Sequence, residues 1–255
     1  AQIIAGAAGG SGTYSGSIVG DPTVASAIES AANVQGYSAD TELVNYAHKV
    51  AALESGYGVK TFNSSGGGLG AKGIFQFRLS GIAGVMESSI AKTFQNTEYY
   101  KLKTSDAYAA ARVVMSHKDF EKNHLQNAML FFDYHRIVGG KVTGRDGKFD
   151  EVSSYAKHHF GLTGWKNTFG VYQSTGKNMY INKEFGTVLD YYKRYKPKFD
   201  SIDVSRLKGQ AQSADIAAKR EDNKVPYKLS GVTYSAKVVK IIDGDTIDVE
   251  VILPG

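Results

Sequence analysis

Glycine divides most of this chain into short segments, and this punctuation constrains the fold more than any other feature of the sequence. The chain has 255 residues, of which 29 are Gly and four are Pro. Between residues 21 and 195, glycines separate stretches whose apolar residues recur at helical spacing. These stretches are 22–35, 40–54, 74–79, 107–116, 120–137, 150–160, 164–174 and 184–195. The sequence therefore predicts a mainly α-helical domain over residues 21–195.

The sequence changes character on both sides of this helical part. Residues 1–20 are rich in Gly, Ser and Ala, which is typical of a flexible arm. Residues 196–230 carry eight Lys/Arg and five Asp/Glu with few large apolar side chains, which predicts a linker or a surface strap. Residues 231–255 alternate around Asp243-Gly244, the strongest short signal of a β-hairpin. Two strands are marginally stable in water, so this hairpin needs a further sheet to join.

Composition excludes several kinds of site. The chain has no Cys, which rules out a disulfide scaffold, a thiolate metal site and a cysteine nucleophile. Its six His are scattered apart from His158-His159, so we expect neither a metal site nor a cofactor. The net charge of +5 suits contact with an acidic polymer without demanding it. The first residues lack the pattern of a signal peptide, and no apolar run approaches the ~18 residues of a membrane span. We therefore expect neither a signal peptide nor a membrane span.

The most informative single residue is Glu54, at the end of the predicted helix 40–54. Leu43, Ala47, Val50 and Ala51 precede it at spacings that place all five residues on one helix face. Burial and the negative end of the helix dipole both disfavour a charged carboxylate, so we expect a raised pKa for Glu54. A carboxyl group that stays protonated near neutral pH is suited to general acid catalysis. The alternative is a carboxylate at a frayed helix end that turns to water.

Two further segments complete a pattern with Glu54. Glu54-Ser55-Gly56 is followed, after a Gly-rich loop, by Gly73-Ile74-Phe75-Gln76-Phe77. This pair resembles the signature of the lytic transglycosylases, within the lysozyme-like superfamily. Residues 155–161, Tyr-Ala-Lys-His-His-Phe-Gly, are similar to the Leu-Ala-His-Phe-Leu-Gly helix of phage members of that family. The resemblance covers about residues 38–175.

The resemblance implies a lysozyme-like helical fold with a cleft that binds the glycan of peptidoglycan. Glu54 matches the catalytic acid of the family. The residues that match its substrate-binding segments are Ser55, Gln76, Phe77, His158 and His159. His158 corresponds to the family His, whereas His159 stands where the family has Phe, which departs from the pattern. Core packing for Phe77, or a surface position for Gln76 and the two histidines, is the alternative.

The distribution of acidic residues bears on the type of cleavage. After Glu54, 32 consecutive positions contain no Asp or Glu before Glu87. A glycosidase that uses water needs a second carboxylate ~5–9.5 Å from the acid. The gap favours a single-acid transglycosylase that cuts between N-acetylmuramic acid and N-acetylglucosamine. A muramidase stays open, because the fold could bring a distant Asp near. Tyr191-Tyr192 and Trp165 could offer flat faces to a sugar.

The C-terminal stretch carries a second resemblance. Residues 238–247 are similar to the opening hairpin of the thermonuclease family, an OB-type barrel in which the acid matching Asp245 helps to bind calcium. The rest of that barrel and its catalytic arginines have no counterpart here. We therefore expect an OB-like β element, no nuclease activity and no nucleic-acid partner.

An arm, a strap and an unfinished hairpin around a helical domain indicate a phage tail or baseplate component that opens the cell wall. The expected partners are glycan strands and other tail proteins, contacted through the arm, linker and hairpin in an oligomeric assembly. The expected location is the virion, acting in the host periplasm. One alternative is a structural tail hub or tip subunit with a glycan-binding or inactive lysozyme-like domain. Another is a secreted or periplasmic bacterial enzyme.

Overall fold

Helices dominate the fold of the chain in the computed structural model. The structure describes residues 20–64, 69–88, 90–93, 106–117 and 119–209, together with the backbone of four strands between 228 and 252. Residues 1–211 belong to one compact unit and residues 212–255 to a second. The mainly α-helical class predicted from the glycine pattern is confirmed for the first unit.

The described elements of the first unit are short helices joined by turns and two small hairpins. The helices are α1 Thr23–Gln35, α2 Thr41–Ser55, α3 Leu79–Glu87, α4 Ala107–Ser116, α5 His124–Ile137, α6 Glu151–Trp165, α7 Val171–Thr175, α8 Val188–Ser201 and α9, residues 204–209. A 3-10 turn precedes α5 at Phe120–Lys122, and a π-helical turn joins α6 to α7 at Lys166–Gly170. The hairpins pair β1 Phe62–Asn63 with β2 Ala71–Lys72, and β3 Tyr180–Asn182 with β4 Gly186–Thr187. Of the described helices, none has both the length and the apolar character needed to cross a bilayer.

Local sequence sets the ends of α2, the helix that carries Glu54. The Asp40 carboxylate accepts a hydrogen bond from the Leu43 amide at 3.1 Å and so caps the first turn. Gly56 ends the helix in the left-handed conformation, with φ of 60°. Such a residue allows the last carbonyl groups to be satisfied without a steric penalty. The predicted bounds of this helix are therefore confirmed to within one residue.

The structure corrects the prediction of a helix over residues 74–79. Residues 73–76 form turns instead, Phe77 pairs with Lys72 in a β-bridge, and α3 begins only at Leu79, the last residue of the predicted stretch, and continues to Glu87. Gly73 and Gln76 adopt left-handed φ values of 80° and 50°. A right-handed helix cannot contain such residues, so the segment turns back on itself.

The predicted helix over 184–195 is also displaced. Residues 186–187 belong to β4, and α8 runs from Val188 to Ser201 with Pro197 inside it. A proline inside a helix costs about 3 kcal/mol. Tyr195 and Phe199 lie on either side of it and are buried, and burying one large apolar side chain contributes a similar amount. Within the predicted linker, residues 196–201 and 204–209 are therefore helical, in α8 and α9.

Helix α2 lies at the centre of the first unit. Ten of its 15 residues are buried. The predicted stripe is confirmed, since Leu43, Ala47, Val50 and Ala51 are no more than 1% exposed and Glu54 is 8% exposed. Around this helix, α1 packs against α5, and α3 packs against α4.

The described residues of the second unit are paired strands. β7, Ser235–Ile241, runs antiparallel to β8, Ile247–Ile252, in agreement with the predicted hairpin. β5, Lys228–Leu229, pairs with β6, Val232–Thr233. The Asp243-Gly244 turn, Asp245 and residues 1–19 of the predicted arm lie outside the described residues.

Candidate active site

The three motif segments found in the sequence meet around Glu54. Glu54 lies in the last turn of α2. His158 and His159 contact it from α6, more than 100 residues away along the chain. His158 also binds the Gly73–Phe77 segment, because its Nε2 donates to the Phe75 carbonyl oxygen at 3.0 Å. The fold thus brings together the three segments that, in the sequence, only the family resemblance linked.

The Glu54 carboxylate accepts two hydrogen bonds on the same oxygen. The Tyr155 hydroxyl donates to Oε1 at 2.8 Å, and Nε2 of His159 lies 3.2 Å from the same atom. Within the part of the chain that the structure describes, Oε2 has no hydrogen-bond partner. The Glu54 side chain is only 2% exposed. The carboxyl group is therefore buried, and its donors among the described residues reach one oxygen only.

The expected rise in the pKa of Glu54 is wrong for this structure. Burial raises the pKa, as expected from the sequence. The hydrogen bond and positive charge of His159, the charge of His158 and the hydrogen bond from Tyr155 outweigh burial and lower the pKa below its ordinary value. The periodicity of α2 showed that Glu54 is buried, but it carried no information about which groups face it.

The two adjacent histidines have different roles in this arrangement. His158 is 3.9 Å from Glu54 Oε1 and anchors the loop at Phe75, and burial lowers the pKa of His158. His159 bridges two groups, since its Nδ1 lies 2.7 Å from the Tyr191 hydroxyl oxygen while its Nε2 faces Glu54. Both side chains are buried, at 5% and 1% exposure, so the alternative of two surface histidines is wrong.

The Gly73–Phe77 segment forms one wall of the site and depends on its glycine. A Cβ atom on Gly73 would lie 1.3 Å from Oδ1 of Asn127, and the φ of 80° also favours glycine. Asn127 cannot easily move, because its amide nitrogen donates to the Phe120 carbonyl at 2.8 Å. The ring of Phe77 meets His158 edge to face, with centroids 5.3 Å apart.

Gln76 holds this wall in its turned conformation. It is a non-glycine residue at φ 50°, a conformation that stores strain. Its buried side-chain amide donates to the carbonyl oxygens of Gly73 at 2.9 Å and Lys60 at 3.2 Å. The side chain is 2% exposed, so the alternative of a solvent-facing Gln76 is wrong.

Ser55 supports the end of α2 rather than the carboxylate. Its hydroxyl donates to the Ala51 carbonyl at 2.9 Å and accepts the Gly58 amide at 2.9 Å. These bonds close the helix next to Glu54 and so position it through the backbone.

The sequence patterns did not identify two tyrosines as members of the site. Tyr155 lies four residues before His159 on the same helix, a spacing that places both side chains on one face. That spacing was a usable signal for Tyr155. Tyr191 was considered only as a flat surface for sugars, but it is 0% exposed and bonded to His159. No local pattern could show that α8 would bring it there.

Other features of the unit lie apart from these residues. A cavity of about 1090 Å³ is lined by residues of α2, the 141–152 segment and α8. Tyr192, expected to offer a flat face to a sugar, lines it, whereas Glu54, Ser55, Gln76, Phe77, His158 and His159 do not. Within the described residues, no group of three or more His, Asp or Glu side chains is placed to hold a metal ion.

Comparison with family models, with curated proteins and with solved structures finds no match to this chain. A family for the chain therefore remains an interpretation of the residues and their geometry.

Proposed function

We propose that this chain cleaves peptidoglycan as a lytic transglycosylase, with Glu54 as its single general acid and base. The observation that carries the proposal is the convergence of the three motif segments on one buried carboxyl group at the end of α2. The groups with the largest effect on the pKa of Glu54 are two histidines and a tyrosine, with no carboxylate among them. A cleavage that uses water normally requires a second carboxylate, so this environment favours the single-acid reaction.

In the proposed reaction, the Glu54 carboxyl proton is transferred to the oxygen between N-acetylmuramic acid and N-acetylglucosamine. The bond from C1 of the muramyl sugar to that oxygen breaks, and its electron pair stays with the oxygen. The acetamido group of the muramyl sugar stabilises the positive charge that develops at C1. The Glu54 carboxylate then accepts the proton of the muramyl 6-hydroxyl, whose oxygen bonds to C1 and closes a 1,6-anhydro ring. No water is consumed, and Glu54 recovers its proton.

The proposed biological setting is a phage tail or baseplate in which the enzyme contacts glycan strands and other tail proteins. It is supported by the second compact unit, residues 212–255, whose paired strands follow the helical unit. Isolated strand pairs are marginally stable in water, which favours their completion by a partner.

One observation favours a second candidate function. The Glu54 side chain is 2% exposed and already accepts two hydrogen bonds, as a purely structural carboxylate would. A glycan reaches it only when the side chains that cover it move aside. A tail hub or tip subunit that binds glycan through an inactive lysozyme-like domain fits this burial.

Purified peptidoglycan distinguishes these functions. We expect the chain to release muropeptides that end in 1,6-anhydro sugar, and Glu54→Gln to reduce the release at least 100-fold, since Gln donates no catalytic proton. The matched control is Glu87→Gln, the same change at an exposed position in the last turn of α3, which should retain full release. Mass spectrometry of the released fragments measures both the amount and the type of end.

Each alternative has its own outcome in this experiment. Release of reducing ends without anhydro sugar, still dependent on Glu54, would identify a muramidase. Binding to sedimented peptidoglycan with no release by the unaltered chain would identify the structural subunit. Equal release by the unaltered chain and Glu54→Gln would contradict the role of Glu54.

A further inference from the structure

We propose that Glu54 and His159 share one proton, and that Tyr191 orients the imidazole so that this proton can be passed to Glu54. The catalytic use of the shared proton rests on the proposed function, whereas the sharing itself is a property of the resting protein. His159 is a positioning residue in this proposal, because it acts on a substrate only through Glu54.

Three titratable groups form one hydrogen-bonded chain. Oε1 of Glu54 lies 3.2 Å from Nε2 of His159, and Nδ1 of His159 lies 2.7 Å from the Tyr191 hydroxyl oxygen. His159 is 1% exposed and Tyr191 is 0% exposed. Water therefore does not compete for either ring nitrogen, and each proton on the ring must be placed in one of these two contacts.

This hydrogen-bonded chain accommodates the proton at either end of the Glu54–His159 contact. With the proton on His159, both ring N–H groups donate, one to the Glu54 carboxylate and one to the Tyr191 oxygen. With the proton on Glu54, its O–H donates to Nε2, while Nδ1–H still donates to Tyr191. Transfer between Nε2 and Oε1 therefore leaves no ring donor without an acceptor. When the pair loses the proton, the Tyr191 hydroxyl can rotate and donate to Nδ1.

The described groups around His159 do not compete for the shared proton. The groups that face His159 are Glu54 from α2, Tyr155, His158 and Phe160 from α6, Phe185 from the β3–β4 hairpin, and Tyr191 and Tyr195 from α8. Burial lowers the pKa of His158 and raises the pKa of Tyr191, so neither competes for the shared proton. Burial likewise raises the pKa of Tyr195; the charges of Glu54 and Glu184 raise it further, and Arg194 lowers it.

Sharing has a consequence that a purely structural contact lacks. A proton that can occupy either of two groups is held more tightly than by either group alone, because the binding constants of the two arrangements add. A neutral replacement for His159 that keeps its hydrogen bond to Glu54 removes one arrangement. The pair then loses its proton at lower pH, and the plateau of Glu54-dependent release ends at lower pH.

His159→Gln tests this consequence, since the Gln amide can donate to Glu54 but binds no proton. His48→Gln is the matched control, because His48 also bridges a Glu and a Tyr, namely Glu29 and Tyr57. We expect the alkaline limit of anhydro-muropeptide release, taken relative to each protein's own plateau, to move to lower pH in His159→Gln. His48→Gln should keep the original limit.

A spectroscopic measurement on the full chain tests the sharing without substrate. Between roughly pH 5 and 9, the carboxyl ¹³C shift of Glu54 and the ring ¹⁵N shifts of His159 are followed by NMR, with Glu54→Gln for assignment. We expect both residues to change together with common apparent pKa values. Independent titration of the two, or an unchanged alkaline limit in His159→Gln, would overturn the proposal. If His159→Gln does not fold, the NMR titration of the unaltered chain decides. Absence of muropeptide release would instead refute the proposed function, and the two NMR titrations would still report on sharing.

Discussion

The molecule contains two networks built from the same three residue types. In the inner network, His159 joins Glu54 to Tyr191 with contacts of 3.2 and 2.7 Å. In the outer network, His48 joins Glu29 to Tyr57 with contacts of 3.1 and 2.7 Å. The contact lengths and the ring nitrogens used are nearly the same. Local geometry therefore does not distinguish the two histidines.

The difference between the networks lies in what surrounds the carboxylate. Glu29 is 47% exposed and forms an ion pair with Lys208 at 2.7 Å, and hydrogen bonds from His48 and Lys208 lower the pKa of Glu29 to about 2 despite partial burial. Glu54 is 2% exposed, and the basic side chains that face its Oε1 are the two histidines of α6. The pKa of both carboxylates is lowered, but Glu29 is held by a lysine at the surface, whereas Glu54 is enclosed with histidines that can exchange a proton with it. The comparison shows that the surroundings of the carboxylate, and not the set of three residue types, decide whether it is a candidate acid.

The largest expected difference between the networks comes from removing each histidine. His159→Leu leaves the buried Glu54 carboxylate without one donor and should lower the free energy of unfolding by about 3–5 kcal/mol. His48→Leu leaves Glu29 in contact with solvent and Lys208, so the loss should be about 1–3 kcal/mol. Urea unfolding of both variants measures the difference. Equal losses would show that the two carboxylates do not differ in the way proposed.

A glycine substitution should damage the Gly73–Phe77 wall beside the inner network. Gly73→Ala puts a Cβ atom against Asn127 at a left-handed φ, and we expect a loss of roughly 2–3 kcal/mol. Gly84→Ala is the control, because nothing lies within 4 Å of a Cβ there and the residue is inside α3, where Ala stabilises by up to about 1 kcal/mol. The free energies of unfolding should thus change in opposite directions. A Gly73→Ala variant as stable as the unaltered chain would refute the steric account of this wall.

Removing one hydroxyl from each network should cost the same stability but have different effects on activity. Tyr191→Phe and Tyr57→Phe each lose one contact of 2.7 Å to a buried ring nitrogen, and we expect about 1 kcal/mol for each. Only Tyr191→Phe should change the pH dependence of muropeptide release, because only the inner network contains the proposed acid. A shifted pH profile in Tyr57→Phe would mean that the outer network also influences cleavage.

The smallest expected effect concerns Lys208 and the pH dependence of the outer network. The folded-state pKa of Glu29, about 2, is below its ordinary value of 4.5. The contribution of ionised Glu29 to the free energy of unfolding is therefore present above pH 4.5 and is lost as the pH falls towards 2. Lys208→Met should cost less than about 1 kcal/mol at neutral pH, since both partners are partly exposed, and less still near pH 2. Unfolding by urea at the two pH values checks the sign, and a larger loss at low pH would contradict it.

Much of the helical unit could be predicted because its signals are local. The Asp40 cap and the apolar stripe of α2 lie within the helix itself, and they placed Glu54 on the buried face. The errors occurred where distant packing overrides local preference. α8 continues through Pro197 because the aromatic residues around it are buried, and the turns at 73–76 contain a glycine fitted against Asn127.

The sequence by itself determined the helical class, the burial of one face of α2 and the choice of Glu54 as the residue to examine. These depend on periodicity, caps and glycine positions within one or two turns of chain. Only the tertiary structure decided how Glu54 is ionised, since its donors Tyr155 and His159 come from 101 and 105 residues away. It also decided which histidine faces the carboxylate and which anchors Phe75. A pKa depends on charges and hydrogen bonds in three dimensions, so no pattern along α2 could reveal its direction.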